Sequence, residues 1–316
     1  MSSDTEVKPG GSPIERAADA PPEELPLGSP NVLKARQAAR DPRVKTLRVP
    51  GASLYYEVVG TGPALLLIPG GSGDVSPFQQ LARALAVRFT VVSYDRRGFS
   101  RSVLDAPPDD SKRIEVDSAD AHRLLGEISD GPAYVLGSSS GAIVALDLLS
   151  RYPQQIRRVV AHEPPLATLV PDAEEQLAIL DNVYDTFRTS GAEEAMRKFS
   201  AAEGLEDGPI LPPGAELDPR FREMITRMQR NLDFMFEHEI RSYPRYVPDL
   251  TALRAVSDRL ILAGGRDSRH NFPYRPNIVL AEALQLHVID FPGGHVGYAT
   301  YPNEFAKQLG DMLLTK

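Results

Sequence analysis

The chain has 316 residues, 42% hydrophobic and 25% charged, enough apolar material to bury a core without covalent staples. It contains no cysteine, which excludes disulfides, thiolate nucleophiles and cysteine-bound metals. A formal net charge of -8 argues against a nucleic-acid partner; with no secretory signal or membrane-length apolar run evident, a soluble cytoplasmic protein is expected.

Residues 1–44 are rich in Pro, Ala, Glu and Ser and read as a poorly ordered arm, with a helical turn or two around 32–40. Strands over 46–49 and 54–59 are expected to pair across Pro50-Gly51. The continuous apolar run 64–68 fits a strand covered on both faces, and it leads into Pro69-Gly70-Gly71-Ser72-Gly73. An amphipathic stretch follows at 78–86. Buried strands at 89–94, 133–136 and 156–161 then alternate with helices at 116–128 and 140–152. Such alternation means βαβ units, hence a parallel sheet with right-handed crossovers.

That rhythm stops at residue 166. Up to 247 the chain offers helices and no convincing strand; in the clearest helix Phe221, Met224, Ile225, Met228, Leu232 and Met235 recur at helical spacing. Strands resume at 259–263 and 287–291, and a helix at 304–314 closes the sequence. The expectation is an eight-stranded α/β core over 45–165 and 248–316, interrupted by a helical insertion over 166–247.

Reactive groups of an open parallel sheet collect at the carboxyl ends of its strands. Gly137-Ser138-Ser139-Ser140-Gly141 follows one strand and opens a helix, the layout of a nucleophile elbow that presents Ser139. Asp267 follows the strand at 259–263, and His295, in Pro292-Gly293-Gly294-His295, follows the last. A serine hydroxyl needs a histidine to take its proton, and the histidine needs a carboxylate to fix its tautomer. The backbone N–H groups of Gly71 and Ser140 are the candidates to hold the developing oxyanion. His122, His238, His270 and His287 lack such surroundings and are expected on the surface. No metal-ligand spacing and no nucleotide-binding glycine loop is present, so no cofactor is expected.

With these residues assembled, the chain resembles the α/β-hydrolase superfamily from about residue 45 to the end. It looks most like the zearalenone-lactonase group. The matching stretches include Tyr55-Tyr56-Glu57, Gly98-Phe99-Ser100-Arg101-Ser102, Ser138-Ser139-Ser140-Gly141, His162-Glu163-Pro164-Pro165 and Tyr243-Pro244-Arg245. The resemblance implies an α/β-hydrolase fold with a mostly parallel eight-stranded sheet, and a helical cap over 166–247. It also offers a second acid: the lactonase group places its carboxylate in a His-Glu-x-Pro setting, which maps onto Glu163, whereas the wider superfamily uses a later aspartate, which maps onto Asp267. Asp267 is the preferred reading. Gly70, Met228 and Tyr243 are the candidates for substrate contact. Members of the lactonase group close a cap tryptophan over an aromatic substrate, and this chain has none.

The function expected is hydrolysis of a carboxylic ester or lactone of an apolar small molecule through a Ser-His-Asp/Glu triad and an acyl-enzyme. Carbon–carbon bond hydrolysis, cofactor-free haloperoxidase chemistry and a non-catalytic ligand receptor on the same fold are the alternatives. Epoxide hydrolases and haloalkane dehalogenases attack with an aspartate where this chain has Ser139. The oligomeric state is left open.

Overall fold

The computed structural model describes residues 42–205 and 219–315. Most of the expected arm, with its turn around 32–40, therefore lies outside the described residues. Among the described residues nine strands form one sheet: β1 (Arg43–Val49), β2 (Ala52–Val59), β3 (Ala64–Ile68), β4 (Thr90–Tyr94), β5 (Val103–Leu104), β6 (Ala133–Ser138), β7 (Ile156–His162), β8 (Leu260–Gly265) and β9 (Val288–Phe291). Their order is β1-β2-β4-β3-β6-β7-β8-β9, with the two-residue β5 attached to β2. The eight expected strands are thus the continuous path, and β5 is an addition too short to leave a periodic signal. β1 begins at Arg43, just inside the segment expected as an arm. The β1–β2 hairpin and the β2–β4 pair are antiparallel, and every pairing from β4 through β9 along the path is parallel.

Period-two alternation along the strands divides the core into two layers. Leu66, Ile68, Val92, Val135, Val159, Ala161 and Leu262 share one cluster. It is covered by helices α2 (Arg113–Ile128), α3 (Ser140–Arg151), α7 (Leu250–Ala255) and α8 (Arg275–Leu284). Their strand neighbours Leu65, Leu67, Val91, Leu136, Val160 and Ala263 face the other way. They pack under α1 (Gln79–Leu85) and α10 (Pro302–Leu314), with Tyr298 of the short α9 (Gly297–Thr300). Burial on both faces is why β3 and β6 read as unbroken apolar runs. α8 leaves a weak signal in the sequence, because its buried face mixes Pro276 and Asn277 with a narrow apolar stripe of Leu280, Ala281 and Leu284.

Between β7 and α7 the described residues carry three further helices, α4 (Ala173–Ser190), α5 (Ala192–Glu203) and α6 (Pro219–His238). Leu180, Val183, Ala195, Met235, Phe236 and Ile240 form their own cluster, joined by Phe99 from the loop after β4. Of the stripe on α6, Met235 is buried and Leu232 half-buried, while Met228 is exposed; the side chains of Phe221 and Met224 lie outside the described residues. No helix among the described residues is long and apolar enough to cross a membrane.

Leu66 is fully buried in the centre of the sheet and cannot be replaced by water or a neighbour without repacking α2 and α3. Leu66→Ala is expected to lower folding stability by about 2–5 kcal/mol in urea denaturation, with the slope of the transition unchanged.

Candidate active site

The chain reverses from β6 into α3 within one residue. Ser139 takes φ 55° and ψ -127°, a conformation that costs a non-glycine residue about 1–3 kcal/mol. The neighbours must be glycines. A Cβ on Gly137 would sit 2.3 Å from the Gly141 carbonyl oxygen, and one on Gly141 would sit 2.3 Å from that of Ile68. Three backbone bonds hold the strained residue: the Ser139 N–H donates to the His162 carbonyl at 2.9 Å, and the Ser139 carbonyl accepts from Ala142 at 2.8 Å and from Ile143 at 3.4 Å. Ser139 caps the start of α3, whose positive end favours charge developing on an oxygen there.

Glu163, at the end of β7, is a second non-glycine residue with positive φ, 51°. Its carboxylate is completely buried. One oxygen accepts from the Gly265 N–H at 2.7 Å and from the Ser268 hydroxyl. The other lies 2.6 Å from His295 Nδ1. Burial pushes the carboxyl up, but bonds and charge from His295, then His162 and Ser268, outweigh it and hold the group at about 2. A carboxylate accepts only, so Nδ1 carries a proton towards it, and in the neutral ring Nε2 is then the lone-pair nitrogen.

The two candidate acids therefore part company. Asp267, preferred from sequence, has a side chain 58% exposed and directed at Arg266, 3.6 Å away, and no His295–Asp267 ion pair exists. What Asp267 contributes is its backbone: its N–H donates to the Gly293 carbonyl at 3.1 Å, tethering the loop that carries His295. Glu163 is the carboxylate brought to the histidine. Sequence spacing could not separate them, because both follow parallel strands that are neighbours in the sheet.

The loop after β3 lies against the elbow. A Cβ on Gly70 would come within 2.8 Å of Ser139 Cβ, and one on Gly71 within 2.5 Å of Met235 Sδ from α6. Among the described residues, neither the Gly71 nor the Ser140 N–H donates to a backbone acceptor. The other substrate-contact candidates lie elsewhere. Met228 is 43% exposed against 7% for Met235, and two helical turns put it about 10 Å further along α6. Tyr243 is buried, and its hydroxyl donates to Asp117 at 2.6 Å while accepting from Arg96 at 3.1 Å. It belongs to an ionic cluster beneath α6. Gly70 alone of the three touches the elbow.

Several residues at the site escaped the sequence reading. Ser268 follows Asp267 directly and could have been considered with it. Arg96 was signalled by two arginines just past a buried strand, after Asp95, but its partner Glu239 is 143 residues away. His162 is completely buried, with its ring edge-on to Phe291, Tyr298 and Phe305. Neither of its nitrogens has a partner among the described residues. Of the histidines expected on the surface, His270 and His287 are exposed; His122 and His238 are half-buried against Gln155 and Asp110. Among the described residues no group of three or more His, Asp or Glu could hold a metal.

The model of the alpha/beta hydrolase family matches residues 65–308. The chain is 40% identical over 272 residues to YraK, an uncharacterized hydrolase of Bacillus subtilis, covering 85% of this chain and 95% of that protein. It is 29% identical over 266 residues to a zearalenone hydrolase of Bionectria ochroleuca, covering 81% of this chain and 92% of that protein. Among solved structures, the enol-lactonase from Burkholderia xenovorans aligns with a TM-score of 0.61 and 19% identity. That alignment covers 86% of this chain and all of the lactonase, and it speaks for the fold alone.

Burial lowers the imidazole of His162 from 6.5 to about 4, against the pull of the Glu163 carboxylate and with a smaller push from His295. The unfolded chain therefore binds a proton between these values that the folded protein refuses. Stability from a neutral His162 is intact above pH 6.5 and is lost as pH falls from 6.5 through 4, by up to about 3 kcal/mol. His162→Phe, which keeps the aromatic packing, should flatten that limb in denaturant melts recorded from pH 7 to 4. An unchanged slope would assign the limb to other groups.

Proposed function

Because the chain belongs to the alpha/beta hydrolase family, we propose that this hydrolase cleaves a carboxylic ester or lactone of an apolar small molecule, with Ser139 as nucleophile. The observation that carries the reading is the 2.6 Å bond from His295 to an ionised, buried Glu163. It leaves His295 Nε2 free as the base.

In this reading His295 Nε2 takes the hydroxyl proton as Ser139 Oγ attacks the substrate carbonyl. The new oxyanion is met by the N–H groups of Gly71 and Ser140, aided by the start of α3. Collapse of the tetrahedral adduct expels the alcohol, which takes the proton back from His295, and leaves an acyl-Ser139 ester. Water, deprotonated by the same imidazole, then releases the acid. Glu163 stays ionised throughout and stabilises the imidazolium.

Helices α4–α6 serve as the cap. Met235 and Phe234 from α6 stand over the Gly71 and Gly98 loops, where an added Cβ would meet their side chains at 2.5 and 2.1 Å. Such soft apolar walls suit an apolar substrate. The relationship to a zearalenone hydrolase supports a lactone among the substrates. With no tryptophan in the chain, closure over the substrate falls to methionine and phenylalanine.

Turnover of p-nitrophenyl esters of increasing chain length, beside aromatic and macrocyclic lactones, tests the substrate class. Ser139→Ala should abolish both hydrolysis and labelling by a fluorophosphonate. Glu163→Gln should lower kcat by roughly 10³–10⁴-fold, as loss of the tautomer-fixing carboxylate does in related triads, while Asp267→Asn stays within a few-fold of the parent enzyme. The reverse ranking of the two acids would overturn the assignment of Glu163.

A further inference from the structure

Arg96 follows β4 and is completely buried, yet its guanidinium reaches residues from four separate segments. Nη2 donates to the Gly70 carbonyl at 2.8 Å, to the Ser140 hydroxyl at 3.3 Å and to Glu239 Oε2 at 2.7 Å. Nη1 donates to Asp117 Oδ2 and Glu239 Oε1, both at 2.9 Å, and to the Tyr243 hydroxyl at 3.1 Å. Gly70 and Ser140 stand beside the elbow. Glu239 follows α6 immediately, and Tyr243 lies four residues beyond it.

The contact with Gly70 matters because of which peptide it grips. The carbonyl of Gly70 and the N–H of Gly71 are the two ends of one planar trans amide and point in opposite directions. Holding the oxygen on the far side therefore aims the N–H at the substrate. A Gly-Gly peptide is the one most easily turned over, since neither residue resists positive φ. Turned over, it would present a carbonyl oxygen to the developing oxyanion. A charged donor on the carbonyl also polarises the amide and strengthens its N–H as a donor.

We infer that Arg96 is the positioning residue for the oxyanion hole, and that Glu239 couples its placement to the docking of the helical cap. This rests on the reading of Gly71 and Ser140 as oxyanion donors. Glu239 takes four hydrogen bonds, two from Arg96 and two from Arg113. Phe234 lies under the Arg113 guanidinium at 4.7 Å, a further tie from α6. Three buried arginines (Arg96, Arg97 and Arg113) face three buried acids (Asp117, Asp120 and Glu239), so the cluster is balanced only when the cap segment supplies its carboxylate. An undocked cap withdraws Glu239 and frees Arg96 to leave Gly70. The hole is then complete only over an enclosed substrate.

The test separates aim from mere stability. Arg96→Met, Glu239→Gln and the double variant are assayed for kcat and KM on an activated ester. Binding of a trifluoromethyl ketone, which places an oxyanion in the hole, is measured alongside. Thermal unfolding midpoints are recorded for each. Loss of an oxyanion donor lowers kcat about 100-fold or more. That loss is expected in Arg96→Met, matched by weaker ketone binding, with KM changed by less than about threefold. The double variant removes one charge of each sign, so its midpoint should recover relative to the single variants. Its kcat should not. Should kcat return together with the midpoint, or ketone affinity hold while kcat falls, the cluster only supports the fold and the inference is overturned. Ser139→Ala is run in the same assay: full hydrolysis there overturns the serine reading and this inference with it. Loss in Ser139→Ala beside an intact kcat in Arg96→Met overturns this inference alone.

Discussion

Glu163 buries a full negative charge at the end of β7, and the geometry around it follows from the need to satisfy that charge. An unpaired buried carboxylate would neutralise itself or unfold its surroundings. Here the Gly265 N–H, the Ser268 hydroxyl and the His295 ring all donate to it. Those donors come from the ends of β8 and β9, so one carboxylate ties the last three parallel strands together at their carboxyl edge. The elbow is joined to the same point, since Ser139 donates to the carbonyl of His162. Strain at Ser139 and Glu163 persists because these bonds leave neither residue another place to go.

A second buried charge system adjoins the elbow through Gly70 and Ser140 and obeys the same rule. The arginines after β4 and at the head of α2 would be costly in an apolar interior. They are tolerated because α2 and the segment after α6 each bring acids to them. Pairs of this kind add little stability over well-packed apolar residues, but they demand one geometry. One system thus holds the candidate base, and the other grips the Gly70 carbonyl. The candidate nucleophile stands on a helix start that needs no side chain to be electropositive.

The sheet was legible because burial on two faces writes unbroken apolar runs at 64–68 and 133–136, within a residue or two of β3 and β6; β7 shows the same signal only over Val159–Ala161, after Arg157 and Arg158. The elbow was legible because its glycines answer to local clashes that any such turn must avoid. α8 and β5 were not, the first having too narrow an apolar stripe and the second too few residues to show a period. For the helices over 173–238 the spacing revealed that they are helices, but not which end of α6 meets the loop after β3. Met235, and not Met228, is the methionine of α6 that packs over Gly71.

What the sequence determined by itself was the order of the main strands and which side chains are candidates to react, because both depend on neighbours a few residues apart. The choice between two carboxylates was different. Glu163 and Asp267 carry the same chemistry at equivalent strand ends, and only the approach of the loop after β9 decides which one meets the imidazole. Likewise, that Arg96 and Glu239 form one pair depends on where the helices before β8 settle on the sheet. Charge pairing across such distances leaves no local pattern to read, since the partners are chosen by packing after the chain has folded.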